Sequence, residues 1–185
     1  MILLILGLLL WVAAHYFKRL APDARAQLGA PGKGIAAGAI VAALVLMILG
    51  YRAADYMQVW APPGFLVHVN NTAMLLAFWV YGSSAAKGVK AWPAYKLRHP
   101  QLAGFKIWAA AHLLVNGDLA SILLFGGLLA WAVGEVILIN KAEPVWTPPA
   151  PAGSATYIRL AVISSVLFAA VAGIHIWLGV WPFPS

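Results

Sequence analysis

Four of the five histidines in this chain lie inside long apolar segments, where a titratable side chain is costly and tends to mark a site. They are His15, His68, His112 and His175. Two of them follow a tryptophan by four residues, Trp11 before His15 and Trp108 before His112. Residues at this spacing share one face of a helix, so each of these imidazoles is predicted to lie beside an indole ring.

A haem b held between helices needs two imidazole ligands, flat aromatic neighbours and cations near its propionates. The chain offers His15 and His112 as ligands, Trp11 and Trp108 as aromatic neighbours, and Lys18 and Arg19 as cations. The residues alone leave a second interpretation open, in which the histidines only hydrogen-bond neighbouring helices and stabilise the bundle by about 1 kcal/mol each. At a rise of 1.5 Å per residue, His15 and His112 are both predicted to lie in the half of the bilayer near the basic loops.

A second polar cluster is predicted toward the opposite side of the membrane. Its members are His68, His175, Asn70, Asn116 and Asp118. These side chains are candidates for an outer pocket or for a second haem, or they bond the exposed backbone groups of helix ends. In the Asn-Gly-Asp turn at residues 116–118, Gly117 is expected to end one helix and Asp118 to cap the next.

Glu135 lies one turn inside an apolar segment and is expected to pair with a nearby Lys or Arg, with proton handling as the alternative interpretation. His99 lies in a basic loop and is expected at the surface. The chain has no Gly-rich phosphate loop, no HExxH sequence and no grouping of serine, histidine and carboxylate, so the catalytic residues stay unassigned.

Composition predicts an integral membrane protein. Hydrophobic residues make up 63% of the chain and charged residues 9%, against the roughly 25% charged residues of soluble domains. Mean hydropathy is +0.87. Strand-type alternation is absent, so the predicted fold class is an all-α polytopic helical bundle. The chain has no cysteine, which excludes disulfides, thiolate-bound clusters and c-type haem attachment.

About six transmembrane helices are predicted, within one domain that covers residues 1–185. The predicted segments are Met1–Phe17, Gly34–Ala54, Phe65–Ala86, Ala103–Val115, Leu119–Ile139 and Tyr157–Val180. The stretches Ala21–Lys33 and Asn140–Thr156 are rich in Pro or Ala and are expected to be loops.

The distribution of positive charge predicts the orientation. With six alternating helices, one side of the membrane carries every Lys and Arg except Arg52. By the positive-inside rule that side is cytoplasmic, which places both termini outside, in the periplasm, and the protein in the cell inner membrane. The net charge of +7 then favours anionic lipid at the cytoplasmic loops and gives no support to a nucleic-acid partner.

Several short motifs give the chain a resemblance to a known family. They are Arg98-His99-Pro100-Gln101, Lys106-Ile107-Trp108, Ala111-His112-Leu113-Leu114, Asn116-Gly117-Asp118-Leu119-Ala120-Ser121, Leu124-Phe125-Gly126, Ala14-His15 and His175-Ile176-Trp177-Leu178-Gly179-Val180. With these motifs the chain resembles the NnrU family of bacterial membrane proteins, which is linked to nitrite and nitric oxide reduction. The resemblance implies a role as a sensor or as an accessory factor of a respiratory reductase.

The NnrU family is related to the plant 15-cis-zeta-carotene isomerases, which share an Arg-His-Pro-Gln motif followed by a further histidine thirteen residues after the first. Here 112 − 99 = 13. Two histidines hold haem b in those isomerases, and the resemblance places one at His112 and the other at His15. A haem-dependent cis-trans isomerase acting on a carotenoid-like lipid is therefore an alternative function. The Asn-Gly-Asp turn departs from the plant pattern.

Three further alternatives remain open. Arg98-His99-Pro100 is similar to an element of membrane methyltransferases that bind S-adenosylmethionine, although Leu102 stands where those enzymes have tyrosine. An electron carrier would hold two haems, one on His15 and His112 and one on His68 and His175. A structural subunit of a membrane complex would need no cofactor.

Overall fold

Helices form nearly all of the regular structure in a computed structural model, which describes residues 1–184. The helices are α1 (Ile2–Leu20), α2 (Pro22–Gln27), α3 (Gly32–Arg52), α4 (Leu66–Gly82), α5 (Pro100–Val115), α6 (Leu119–Ala142) and α7 (Ser154–Trp177). Two short strands, β1 (Val89–Lys90) and β2 (Ala150–Pro151), pair in parallel. The predicted all-α class is confirmed.

Four of the helices in residues 1–184, namely α1, α3, α6 and α7, are long and apolar enough to cross a membrane. This supports a helical membrane protein. The helices α4 and α5 have 17 and 16 residues. At 1.5 Å per residue they measure about 25 Å, which is shorter than the roughly 30 Å of a bilayer core. Six crossings, two outer termini and the inner membrane stay predictions.

Several helix starts differ from the predicted boundaries, α7 for example beginning at Ser154 rather than Tyr157, and at two of them a proline is the cause. Helix α2 forms inside the predicted loop at Ala21–Lys33, with Pro22 in its first turn. Helix α5 begins at Pro100 rather than Ala103, with His99 in the N-cap position. Proline suits the first helical position because the N–H that it lacks would have no helical partner there. His99 is half-buried at this helix entry, not fully on the surface.

The chain divides into two compact units, each made of two separate stretches. The first unit contains Met1–Ala61 and Gly117–Pro144, and the second contains Pro62–Asn116 and the chain from Val145 onward. Helices α1, α2, α3 and α6 therefore belong to the first unit, and α4, α5, α7 and the two strands belong to the second. That the whole chain is one domain stays a prediction.

In the first unit, α1 and α3 approach so closely that glycine is required at the contact. A Cβ atom at Gly50 would overlap the backbone nitrogen of Leu4 and lie 2.7 Å from the carbonyl carbon of Leu3. At Gly7 a Cβ atom would lie 2.7 Å from the backbone nitrogen of Met47. Small residues at helix contacts let backbones pack together in a membrane, where burial of apolar side chains gives little driving force.

In the second unit, Gly104 of α5 makes the corresponding contact with α4. A Cβ atom there would lie 2.7 Å from the carbonyl oxygen of Ala77 and 2.8 Å from the backbone nitrogen of Tyr81. Helix α7 also packs on α4, and Leu160 lies against Gly82. Three helices therefore form the core of this unit.

In the basic segment between α4 and α5, a lysine side chain is bonded to the backbone of the same segment. Lys90 Nζ donates to the carbonyl oxygens of Ser84 at 2.5 Å and Ala86 at 2.6 Å. The β1–β2 pairing then joins this loop to the segment before α7, and Tyr157 Oη accepts from the backbone N–H of Trp92 at 2.9 Å. The predicted loop at Asn140–Thr156 is thus anchored at β2.

We predict that Gly50→Ala destabilises the protein by about 1–3 kcal/mol, because a methyl group cannot be accommodated between two helix backbones. Gly38→Ala in the same helix is the matched control, since nothing lies within 4 Å of a Cβ atom there. The measurement is the unfolding midpoint of each variant in detergent. Equal midpoints for the two variants would show that the backbones of α1 and α3 leave room for a methyl group at Gly50, which would contradict the prediction.

Candidate cofactor site

His15 lies in an aromatic environment in the first unit. Its Nδ1 atom is 2.8 Å from the carbonyl oxygen of Trp11. Its ring centroid lies 4.3 Å from that of Trp11 and 4.6 Å from that of Trp131 on α6. The contact with Trp11 confirms the predicted shared face, whereas no local sequence signal indicates Trp131. The indole Nε1 of Trp11 is buried and has no hydrogen-bond partner within residues 1–184.

Tyr16 and Glu135 add polar groups beside this aromatic cluster. The hydroxyl of Tyr16 donates to the carbonyl oxygen of Trp131 at 2.8 Å, and it lies directly over Gly134, where a Cβ atom would collide with it. Glu135 is close enough to Tyr16 for their charges to interact. Its Oε2 atom is buried and accepts no hydrogen bond from the described residues.

The ion pairs of the described chain differ from those predicted. Glu135 forms no salt bridge with a Lys or Arg within residues 1–184, so the expected pairing was wrong. Arg19, predicted as a cation for a haem propionate, instead forms a salt bridge with Glu143 at 2.8 Å. Because that carboxylate is 58% exposed, the pair contributes at most about 1 kcal/mol.

His112 is half-buried in the second unit and has the same local geometry as His15. Its Nδ1 atom is 2.9 Å from the carbonyl oxygen of Trp108, and the two ring centroids are 5.2 Å apart. The side-chain amide of Asn116 donates to the carbonyl oxygen of His112 at 2.8 Å. The predicted contact between Trp108 and His112 is therefore confirmed. Phe105 extends it, with a centroid distance of 5.0 Å to Trp108.

The position of His112 along its helix differs from the prediction. Because α5 begins at Pro100, His112 lies about 18 Å along it and only one turn before its end at Val115. This is the end remote from the basic loop. His175 likewise lies in the last turn of α7, which ends at Trp177.

Hydrogen bonding determines which ring nitrogen of these histidines carries the proton. The Nδ1 atoms of His15, His112 and His175 each lie 2.8–2.9 Å from the carbonyl oxygen four residues earlier. A carbonyl oxygen only accepts, so Nδ1 must be the donor. In the neutral imidazole the lone pair is then on Nε2, and a metal-binding histidine is usually held in this way. The donor set therefore fits a haem iron.

The second predicted polar cluster is only partly assembled. The amide of Asn70 donates to Asn71 Oδ1 at 3.2 Å, and Asn71 donates to the carbonyl oxygen of Pro182 at 3.0 Å. His68 is exposed on α4. In the described part of the chain no hydrogen bond joins its side chain to Asn70 or His175. A pocket built from these residues stays a prediction.

Asp118 belongs to the first unit and caps α6, as predicted. Its Oδ1 atom accepts from the backbone N–H of Ser121 at 2.9 Å, and its Oδ2 atom accepts from the Ser121 hydroxyl at 2.5 Å. The Ser121 hydroxyl has donated its only proton, so at 2.9 Å it must accept from Tyr51 Oη on α3. Sequence reasoning missed this Tyr51–Ser121 contact. Helix α5 ends before Gly117, with Asn116 in an extended conformation.

We predict that Asp118→Ala lowers the stability of the protein by about 1 kcal/mol or more, because α6 loses its N-cap and buried Ser121 loses an acceptor. Asp118→Asn keeps an oxygen acceptor and is the matched control. Thermal unfolding of both variants in detergent measures the difference. A midpoint as low for the Asn variant as for the Ala variant would contradict the capping role.

No three His, Cys, Asp or Glu side chains within residues 1–184 come together as ligands for a metal ion. An iron porphyrin needs fewer protein ligands, and an imidazole Nε2 is one that it uses.

Comparison with known proteins agrees with the motifs. A family model described as NnrU protein matches residues 3–182, which is nearly the whole chain. No curated protein and no solved structure matches it.

Proposed function

Since the chain belongs to the NnrU family, we propose that it binds haem b within the membrane and serves nitrogen-oxide respiration as a sensor or accessory factor. The observation that carries the haem proposal is the hydrogen bond from Nδ1 of His15, His112 and His175 to the carbonyl one turn earlier. The link between the family and denitrification supports the respiratory role.

His112 is the proposed axial ligand. Its Nδ1–H bond to Trp108 fixes the orientation of the ring, so that Nε2 is the nitrogen that binds iron. Trp108 and Phe105 provide the flat apolar surface on which a porphyrin packs.

His175 is the best-supported partner for His112. Both lie in the second unit, each in the last turn of its helix, and both rings have Nδ1 bonded to a carbonyl of their own helix. The partner predicted from the motifs is His15, whose ring has the same tautomer and two indole neighbours. Either residue would hold the haem together with His112, and substitution of each histidine in turn distinguishes the two assignments.

A bound haem would supply an iron that takes up an electron or a diatomic ligand such as nitric oxide. The protein residues hold the imidazoles, keep the second ring nitrogen protonated and surround the site with apolar side chains that exclude water. Such an environment influences the redox potential of the iron and limits the access of water to it.

We predict that the protein purified from cells supplied with a haem precursor has a Soret absorption band, and that the double variant His112→Ala, His175→Ala abolishes it. His175→Ala is expected to leave a five-coordinate, high-spin haem with a shifted band, because one axial ligand remains. Absorbance and electron paramagnetic resonance spectra of the purified variants measure both effects.

His68→Ala is the matched control, since His68 lies in a helix of the same unit but is exposed. Its spectrum should equal that of the unmodified protein. If His15→Ala, and not His175→Ala, produces the high-spin spectrum, the second ligand is His15. A colourless, iron-free protein from haem-supplied cells would overturn the haem proposal as a whole.

A further inference from the structure

An open cavity of about 520 Å³ lies in the first unit where α1, α2 and α3 meet. It is lined by Lys18, Pro22, Arg25, Ala26, Gly29 and Lys33. Three of these six residues are cations and none is acidic. None of the histidines of the candidate cofactor site lines this cavity.

The three cations have no carboxylate partner in the described chain. Within residues 1–184 the recorded salt bridge is that of Arg19 with Glu143, and it involves none of Lys18, Arg25 or Lys33. Like charges that converge on one cavity repel each other and raise the free energy of the empty site. An anion in the cavity would remove that repulsion.

A tight turn brings Arg25 to this position. Gly29 has φ +56°, a left-handed conformation that side chains other than glycine rarely adopt, and the turn that it makes leads from α2 into α3. The guanidinium of Arg25 then lies over the α-carbon of Gly32, where a Cβ atom would collide with Nη1. Arg25 is thereby held at the first turn of α3.

The direction of α3 adds further positive potential. The N-terminus of a helix carries a partial positive charge, which acidic residues normally offset. The first turn of α3 has no acidic residue and no side-chain cap, and it holds Lys33 with Arg25 beside it. Two cations at the positive end of a 21-residue helix are unfavourable unless an anion lies between them.

We propose that this cavity binds the phosphate of an anionic phospholipid. Helices α1 and α3 are both long and apolar enough to span a membrane, and the cavity lies where α1 ends and α3 begins, which is the level of the lipid headgroups. Basic pockets at helix ends on one side of a membrane are known to bind such headgroups. Arg25 is suited to bidentate contact with a phosphate, and Lys18 and Lys33 add charge.

The proposal is tested by native mass spectrometry of the full-length protein with phosphatidylglycerol, phosphatidylcholine or inorganic phosphate. We expect phosphatidylglycerol to be retained and the other two to be retained at least tenfold more weakly. The triple variant Lys18→Gln, Arg25→Gln, Lys33→Gln is expected to weaken retention of phosphatidylglycerol by about tenfold or more, since each cation near a membrane surface contributes measurably to such binding.

The triple variant Lys87→Gln, Lys96→Gln, Lys141→Gln is the matched control, because it removes the same charge from exposed positions outside the cavity. It should change retention less than twofold. If the cavity variant does not fold, the exposed single change Lys33→Gln replaces it and should weaken retention by a smaller but measurable factor.

An equal loss in both triple variants would show that net charge alone attracts the lipid, and would overturn the proposal. Phosphate bound as tightly as phosphatidylglycerol would overturn the assignment to a lipid. None of these outcomes depends on haem, so the result is independent of the proposed function.

Discussion

The hydrogen bond from a histidine Nδ1–H to the carbonyl one turn earlier is the interaction on which the candidate site depends. A ring N–H that is partly buried among apolar side chains has little access to water, and His15, His112 and His175 each obtain a partner from their own helix. This bond costs the helix nothing, because the carbonyl oxygen has a second lone pair beside its backbone hydrogen bond. It also limits rotation of the ring. One local interaction therefore makes a polar side chain tolerable in hydrocarbon and leaves its other nitrogen suited to a metal.

The local parts of the fold could be predicted from the sequence because they depend on spacing within one helix. The pairing of Trp11 with His15 and of Trp108 with His112 follows from a four-residue interval, and the cap at Asp118 follows from its place before an apolar run. The helical membrane class follows from composition in the same way. These inferences need only helix geometry and the cost of exposing polar groups to lipid.

Contacts between distant segments could not be predicted in this way. Trp131 lies against His15, and Tyr51 donates to Ser121, across intervals that no periodic pattern encodes. Glu135 is an example of a predicted contact that the structure does not contain. A nearby cation was expected for it, but Glu135 forms no salt bridge within residues 1–184, and Arg19 at the end of α1 pairs with Glu143. Which of two carboxylates an arginine contacts depends on helix rotation, and a single sequence does not specify it.

The order of the chain has a consequence for biosynthesis. The first unit needs α6, which the ribosome makes only after α4 and α5 of the second unit, and the second unit needs α7, which follows α6. Neither unit is a contiguous stretch, so neither is complete when the other begins to form. The α1–α3 and α4–α5 pairs are therefore both made before either unit is complete, and no simple truncation of the gene yields one unit without the other.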